Sequence, residues 1–574
     1  MDPSLVAEVE GRIASGWATR LRETLASDYR ERPRFSSSWV TPQPPSGAVL
    51  ERSYDIDGST VRLYRIPGGT ESLYFVSPEE YAMDRGHIRL VHLARQALLR
   101  ATPGRVRLDR PADVRAYVTD LGERVIPRLA VDHGIRLGTD RGASVAAVRR
   151  LAAILATYTA GLGVVEIPLK DPNVQDVYLD APAGRTPLHV TIADLGGGLH
   201  PRCVTNILLT PPDAEALLAR FRLESGRPFS EAMPVLETNL DAFRVRATAV
   251  GPPLSPDGLA VALRRHATDP WTLPRLIAAG ALSPLAAGLL SFLIDGRSTI
   301  LVAGARGAGK SSLLGALLFE FPPSQRILTI EDTRELPIAN LQDLGYKVQS
   351  LFVRSALGGT GMSADEALRV SLRMGESAIV LGEVRGQEAR TLYEAMRAGS
   401  AGSAVLGTIH GNSSAAVYER MVHDLGIPAV SFTATDVIAV AGVVRPGGTH
   451  RGRRRLLEVT ELTKSRGPGA FSPLLVYDAR SDAVCEAAGF AVSERIRAIA
   501  NAWSLSGDEA LENIRVRSDI RGAIVGASRG RPDLLAAPWV SRANGAYAGL
   551  VAEGLAGDEL LTEWRQWFQG ATGG

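Results

Sequence analysis

The sequence is poor in cysteine, with Cys203 and Cys485 as its only two. They lie far apart, and neither stands in a metal-ligand spacing. These features argue against a disulfide framework and against a zinc module. A chain with so few cysteines is typical of a reducing intracellular compartment.

The sequence also lacks an excess of charge, because 64 Lys and Arg against 62 Asp and Glu leave a net charge of +2. A nearly neutral chain has no global field that draws it to nucleic acid or acidic lipid. No stretch reaches the roughly 18 apolar residues of a membrane-spanning helix. The N-terminal MDPSLVAEVEGRIASGW carries acidic residues where a signal peptide would be basic. We therefore expect a cytoplasmic protein that docks, if at all, on a membrane protein.

A chain of this length predicts several domains. Residues 1–50 are predicted to form an arm or linker, since 30–50 are rich in Pro and Ser. Mixed strand and helix patterns predict α+β domains over 51–150 and 151–270. The apolar runs STILVAGA, RILTIED, AIVLGEV and SAVLGTIHG predict a mostly parallel sheet within 271–465. The remainder, 466–574, is predicted to be mostly helical.

The stretch GARGAGKSS fills the pattern G-x-x-x-x-G-K-[ST] between a predicted strand and a predicted helix. Glycines in such a loop let backbone N–H groups converge on phosphate oxygens. Lys310 would reach the β- and γ-phosphates, and the Ser311 hydroxyl would bind Mg²⁺. The alternative is a strand–helix turn that binds nothing. The predicted nucleotide-binding residues are Gly304, Ala305, Arg306, Gly307, Ala308, Gly309, Lys310, Ser311 and Ser312.

Three polar clusters follow the next predicted strands, where α/β sheets build their sites. IEDTREL contains Glu331, Asp332 and Glu335, and a carboxylate there could orient the attacking water. VLGEVRG ends in Glu383, which is placed to reach Mg²⁺, and LGTIHGNS brings His410 to another strand end. Taken singly, each could be a solvated charge or a structural histidine. Their order behind the phosphate-loop pattern favours a site.

The order GARGAGKSS, ILTIEDTREL, IVLGEVRG, GTIHGNSS resembles the secretion ATPase superfamily, the hexameric motors of type II and type IV secretion, type IV pili and the archaellum. In that family the four motifs are called Walker A, Asp box, Walker B and His box. The resemblance implies an α/β fold with a RecA-like P-loop ATPase core, α+β N-terminal domains of which 151–270 is PAS-like, and a helical C-terminal region. The segment with Asp171-Pro172 and the IEDT form of the Asp box look most like the archaeal branch.

The resemblance also implies roles for individual residues. Glu335 would be the catalytic glutamate that polarises water, Glu383 would support Mg²⁺ together with Ser311, and His410 would sense the γ-phosphate. Arginine fingers in the family come from the N-terminal domain. The candidates are Arg244, Arg246, Arg264 and Arg265, of which Arg244 and Arg265 are preferred, with Arg385 as a further subunit contact. At least two of these arginines are expected to be surface charges.

The implied function is a homohexameric ATPase that uses ATP and Mg²⁺ to power assembly or secretion of pilin-like filaments. Its partner would be a polytopic membrane platform protein at the inner face of the membrane, with pilin-like subunits reached indirectly. An archaellum motor and a nucleic-acid translocase are alternatives, and a non-hydrolysing scaffold is a third. No nucleic acid is expected, because RGRRR at 451–455 is the only basic candidate and hairpin surface charge explains it.

Overall fold

Two nine-stranded sheets organise the chain. The computed structural model describes residues 33–100, 111–193, 199–265, 269–353, 362–397, 404–448 and 452–573. Contacts divide the chain into a first unit, Met1–Thr268, and a second unit, Asp269–Gly574. Each unit is treated by itself below.

The first unit contains eleven strands among its described residues. The strands are β1 Trp39–Val40, β2 Val49–Ile56, β3 Ser59–Arg65, β4 Ser72–Ser77, β5 Val174–Leu179, β6 His189–Ile192, β7 Arg202–Thr205, β8 Ile207–Leu208, β9 Val235–Leu240, β10 Val245–Val250 and β11 Ala260–Arg265. The helices are α1 Arg85–Arg100, α2 Pro111–Asp132, α3 Arg141–Thr159, α4 Glu166–Lys170 and α5 Pro211–Ser225.

The large sheet of the first unit has the order β2-β3-β4-β7-β6-β5-β11-β10-β9. Its pairs are antiparallel except that β4 and β7 run parallel. In β10 the burial alternates between buried and half-buried residues, as period-two side-chain alternation requires for a sheet with one packed face. Helix α5 packs Leu217 and Phe221 into this core, while α1, α2 and α3 build a separate helical cluster around Leu90, Ile126 and Leu151.

Part of the predicted arm lies against the first unit. Trp39 and Val40 in β1 pair with Leu208 and Ile207 in β8. Phe35 is buried in the helical cluster, with its ring centroid 5.1 Å from that of Tyr158. Residues 1–32 of the predicted arm lie outside the described residues.

The second unit alternates strands and helices before ending in helices. Its strands are β12 Ile300–Gly304, β13 Arg326–Glu331, β14 Lys347–Phe352, β15 Ala378–Leu381, β16 Val405–Ile409, β17 Val437–Val444, β18 Arg453–Leu462, β19 Phe471–Asp478 and β20 Ala483–Glu486. Its helices are α6 Leu273–Ala278, α7 Pro284–Asp295, α8 Lys310–Leu318, α9 Ile338–Asp343, α10 Ala364–Ser371, α11 Glu388–Arg397, α12 Ser414–Glu419, α13 Ala429–Phe432, α14 Glu494–Ala502, α15 Gly507–Ala527, α16 Ala537–Ala552 and α17 Gly557–Thr572.

The second sheet has the order β14-β13-β15-β16-β12-β17-β18-β19-β20. Neighbours from β14 to β17 pair in parallel, and β18, β19 and β20 continue the sheet antiparallel. Strands β19 and β20 lie beyond the predicted boundary at residue 465. Strand β12 is buried along its whole length, as expected for the middle of a sheet covered on both faces. This arrangement confirms the predicted α/β class with a RecA-like core.

The carboxyl ends of β12, β13, β15 and β16 lie on one edge of the sheet, because these strands pair in parallel. The four sequence motifs follow these four strand ends. A parallel sheet therefore gathers motifs that lie about a hundred residues apart along the chain.

The helices behind this sheet are tied to the phosphate-loop helix. Arg521 in α15 forms an ion pair with Glu320, just beyond the end of α8. In the same helix, Nη2 of Arg517 lies 2.5 Å from Oδ2 of Asp295 in α7. Asn544 in α16 donates to the backbone carbonyl of Phe319 at 3.0 Å. The end of α8 is thus anchored in the C-terminal helices.

Within the described ranges, no single helix is both long and apolar enough to cross a membrane. One bent pair, Arg141–Thr159 with Gly163–Lys170 at 105°, meets that test by length and composition only.

Candidate functional site

The loop between β12 and α8 has the backbone that a phosphate cradle needs. Gly307 and Gly309 have φ values of +80° and +96°, in the region that favours glycine. Gly304 has a φ of +153°, and a Cβ there would collide with the backbone carbonyl of Ala441 on β17. Ala305, Arg306 and Gly307 are exposed, whereas Ala308 is buried. The glycines therefore shape the loop while its tip stays open to a ligand.

Lys310 begins α8 and bends back over the loop. Its ammonium donates to the backbone carbonyls of Gly304 at 3.1 Å and Ala305 at 3.2 Å. The residue is only 9% exposed. Burial lowers the pKa of Lys310, and the carboxylates of Glu383 and Glu335 oppose that shift. Because its hydrogen bonds to these two carbonyls are to neutral groups, the buried ammonium is ready to receive phosphate oxygens.

The Asp box brings a carboxylate to the next residue of α8. The Ser311 hydroxyl donates to Oε2 of Glu335 at 2.5 Å. Glu335 is in turn placed by Glu331, whose Oε1 accepts from the backbone N–H groups of Glu335 and Leu336, both at 2.9 Å. Glu331 is 2% exposed, and burial raises its pKa to about 7. Its other oxygen is buried and finds no hydrogen-bond partner among the described residues.

The Walker B acid, Glu383, lies at the centre of a charged chain. Nε2 of His410 lies 2.9 Å from Oε1 of Glu383, and Nε of Arg385 donates to Oε2 at 2.8 Å. Nη1 of Arg385 is 2.5 Å from Oδ2 of Asp332. Burial disfavours the charged form of Arg385, but the hydrogen bond to Glu383 and the charge of Asp332 hold its pKa above the ordinary value.

His410 links this chain to the phosphate loop. Its Nδ1 lies 3.5 Å from Nζ of Lys310, and burial and the charge of Lys310 lower the pKa of the imidazole. A neutral imidazole can accept from the ammonium on one side while its other nitrogen faces Glu383. Thr408, two residues earlier, donates to the carbonyl of Gly382 at 2.6 Å and ties β16 to the end of β15.

The candidate arginines divide by their contacts. In the first unit, Arg246 pairs with Glu237 at 2.8 Å and Arg264 with Asp176 at 2.8 Å. Arg265 donates to the backbone carbonyl of Asp171, and Arg244 has a φ of +52° between β9 and β10. Neither Arg244 nor Arg265 forms an ion pair within the described part of this unit. Arg385 belongs to the second unit and to the Walker B chain.

The described arginines of the basic run at 451–455 contact groups of the second unit. Arg455 and Arg453 both contact Asp482, at 2.8 and 3.2 Å. Arg454 donates through Nε to the backbone carbonyl of Gly307 at 3.0 Å. Arg451 lies outside the described residues. The structure therefore places this run beside the phosphate loop and Asp482.

Two further arginines at the site are not assigned to it from the sequence. One is Arg454. The other is Arg420, whose Nε is buried without a hydrogen-bond partner among the described residues, in a cleft that Ala305, His410 and Asn412 also line. Arg420 begins a short π-helix, Arg420–Asp424, and such turns are frequent at functional sites. A basic residue ten positions after His410 is the only signal that the sequence offers.

Comparisons with known proteins show the family of the chain. The family model described as "Type II/IV secretion system protein" matches residues 213–470. The Mycobacterium tuberculosis protein named "Putative conjugal transfer protein" is 32% identical over 324 residues, 55% of this chain and 88% of that protein. The chain belongs to the secretion ATPase superfamily. Membership makes this secretion ATPase an ATP-hydrolysing P-loop enzyme.

Two more proteins are similar to parts of this chain. The type IV secretion system protein PtlH of Bordetella pertussis is 30% identical over 256 residues, 39% of this chain and 74% of PtlH. The solved structure of the Legionella pneumophila ATPase DotB aligns with a TM-score of 0.36 at 18% identity, over 61% of this chain and 85% of that one. The sequence-based assignment to the superfamily is confirmed, whereas the archaeal branch stays a prediction.

Proposed function

We propose that this secretion ATPase is a homohexameric motor that powers assembly or secretion of pilin-like filaments. It would act on a polytopic membrane platform protein at the inner face of the membrane, and through it on the pilin-like subunits. One observation carries the proposal: contacts from Lys310 through His410 to Glu383, and from Ser311 to Glu335, join the phosphate loop to two acids and a histidine that follow three other strands.

The described residues supply the groups that phosphoryl transfer needs. Backbone N–H groups of the loop and the Lys310 ammonium would bind the β- and γ-phosphates of ATP. The carboxylate of Glu335 would orient the attacking water, since it lies against Ser311 at the start of α8. His410 would respond to the γ-phosphate, because it contacts both Lys310 and Glu383.

The donor set suits Mg²⁺, which prefers oxygen ligands. Ser311 offers a hydroxyl, and Glu383 offers a carboxylate oxygen that faces the His410 ring. When bound, Mg²⁺ would neutralise phosphate charge. The described residues contain no separate group of three or more His, Cys, Asp or Glu that could hold another metal ion.

Arg244 and Arg265 are the proposed transition-state arginines. An arginine at the γ-phosphate stabilises the charge that develops as the phosphoryl group transfers. Arg246 and Arg264 are weaker candidates, because each is already paired with an acid of its own sheet.

The names of the relatives favour a second candidate output. One is named for conjugal transfer and another for type IV secretion, so a motor that exports protein or nucleoprotein substrates is the alternative to filament assembly. An archaellum motor remains a further alternative. A translocase that grips nucleic acid directly is the weaker alternative, since Arg453 and Arg455 of the basic run contact Asp482.

The variant Glu335→Gln tests the proposed chemistry. The amide keeps the size of the side chain but cannot act as a base, so turnover should fall roughly 100-fold or more while Mg·ATP affinity stays within about threefold. Phosphate release and equilibrium nucleotide binding measure the two effects. Glu376→Gln, on a side chain that is 70% exposed, is the control and should behave as wild type.

Undiminished turnover in Glu335→Gln would remove Glu335 from its role. Mass measurement of the full chain with nucleotide checks the hexamer, and a purely monomeric protein under turnover conditions would contradict it.

A further inference from the structure

The basic run on β18 presents alternate arginines to different surroundings. Arg453 and Arg455 contact Asp482, whereas Arg454 between them contacts the phosphate loop. Successive side chains of a strand point to opposite faces. The strand geometry therefore separates one arginine of the run from its two neighbours.

Arg454 contacts the phosphate loop at the peptide that joins Gly307 and Ala308. Its Nε donates to the carbonyl of Gly307 at 3.0 Å, and an added Cβ on Gly309 would lie 3.5 Å from its Cδ. The contact spans 147 residues of sequence. Within the described part of the chain, Arg454 forms no ion pair.

The backbone torsions of Gly307 do not by themselves fix the orientation of the peptide between Gly307 and Ala308. A glycine at a φ of +80° can turn the following peptide plane with little steric cost. If the carbonyl turned inward, its oxygen would face phosphate oxygens and repel them. In the structure the N–H of the same peptide, on Ala308, donates to the backbone carbonyl of Ala305 at 3.2 Å. Among the described residues, the Ala305 carbonyl holds this peptide through its N–H, and the Arg454 guanidinium holds it through its carbonyl.

We propose that Arg454 is a positioning residue for nucleotide binding, which holds the Gly307 carbonyl outward and so fixes the loop in its phosphate-accepting form. The proposal rests on the proposed nucleotide site. A hydrogen bond from a charged donor is stronger than a neutral one, and it also polarises the peptide it holds. The contact should raise the affinity for the phosphate groups of a nucleotide, independently of the base.

The test compares Arg454→Ala with Arg453→Gln, its neighbour in the same run on the opposite face. Binding of Mg·ADP and of Mg·pyrophosphate to the full chain is measured by calorimetry. We expect Arg454→Ala to weaken both ligands by roughly tenfold, the scale of one charge-assisted hydrogen bond. Arg453→Gln should stay within twofold. Arg454→Lys, which keeps a charged donor, should recover most of the loss.

The kinetic signature separates positioning from general damage. KM for ATP should rise in Arg454→Ala while kcat at saturation stays within about twofold, and the unfolding temperature without nucleotide should match wild type. Three results would overturn the inference: equal affinities for Arg454→Ala and wild type, equal losses for Arg453→Gln, or a loss confined to Mg·ADP, which would mean contact with the base. Failure of the wild-type chain to bind Mg·ADP would instead overturn the proposed function itself.

Discussion

Asp171 in the first unit and Glu331 in the second are buried acids that differ in how fully their oxygens are hydrogen-bonded. In the first unit, Asp171 is fully buried, and its Oδ2 accepts from the hydroxyls of Tyr54 at 2.7 Å and Tyr74 at 2.8 Å. Its Oδ1 accepts from the backbone N–H of Asn173 at 2.8 Å. In the second unit, Glu331 leaves one buried oxygen without a partner among the described residues, and the ammonium of Lys310 meets only carbonyls and an imidazole.

The difference separates groups that hold a fold from groups that serve a site. A buried polar group with all its hydrogen bonds made stabilises the structure around it. A buried group that is short of partners costs stability and is kept where function needs it. By this criterion Asp171 is structural, although the sequence gives it the same prominence as the motifs of the second unit.

The largest expected effect comes from removing the charge of Lys310. Lys310→Met keeps the apolar stem but cannot attract phosphate, so Mg·ATP affinity and turnover should each fall by about 100-fold or more. Because burial already lowers the pKa of this ammonium, the unfolding temperature should stay level or rise. Lys347→Met, at an exposed position on β14, is the control. Normal Mg·ATP binding by Lys310→Met, or a melting temperature several degrees lower, would contradict the conclusion that Lys310 serves the site rather than the fold.

The next effect should be structural and confined to the first unit. Asp171→Ala leaves two tyrosine hydroxyls and Asn173 without their acceptor, at a cost of about 3 kcal/mol. Amide hydrogen exchange of the full chain should speed up in β2, β4 and β5, which hold or adjoin these groups, and stay unchanged in β12 and β13. Tyr74→Phe should show the same pattern with roughly a third of the effect. Unchanged exchange in both variants would show that Asp171 does not stabilise the first unit.

Much of the second unit could be predicted from the sequence because its signals are local. The apolar run 299–304, the glycines and Lys310 together specify a strand, a loop and a helix, and the structure has β12 ending at Gly304 and α8 beginning at Lys310. The family resemblance then supplied the superfamily and the RecA-like core. The roles assigned to Glu335, Glu383 and His410 stay predictions, although the structure brings these side chains into one set of contacts.

Contacts that depend on strand pairing could not be predicted. The sequence gives no means to place β18 two strands from β12, so nothing in it shows that Arg454 reaches Gly307 while Arg453 and Arg455 reach Asp482. The positioning of Glu335 by Glu331 could not be predicted from the sequence either, because it depends on how the chain turns after β13. Local patterns identify residues, and the register between distant strands decides what they touch.

The smallest effect should be a pH dependence of the free energy of unfolding that the ionisation of Glu331 causes. Burial raises its folded-state pKa to about 7 from an ordinary 4.5, so the folded state holds its proton more tightly than the unfolded one. The stabilisation from this group is complete below pH 4.5 and is lost as the pH rises through 7.

Between pH 5 and pH 8 that loss should amount to roughly 2 kcal/mol in the wild type, and Glu331→Gln should remove it. Chemical denaturation of the full chain at the two pH values, followed by hydrogen exchange in β13, measures the difference. Glu376→Gln, exposed on the surface, should keep the wild-type dependence. If Glu331→Gln and wild type lost equal stability over this range, Glu331 would have its full set of partners in solution, and the contrast with Asp171 would disappear.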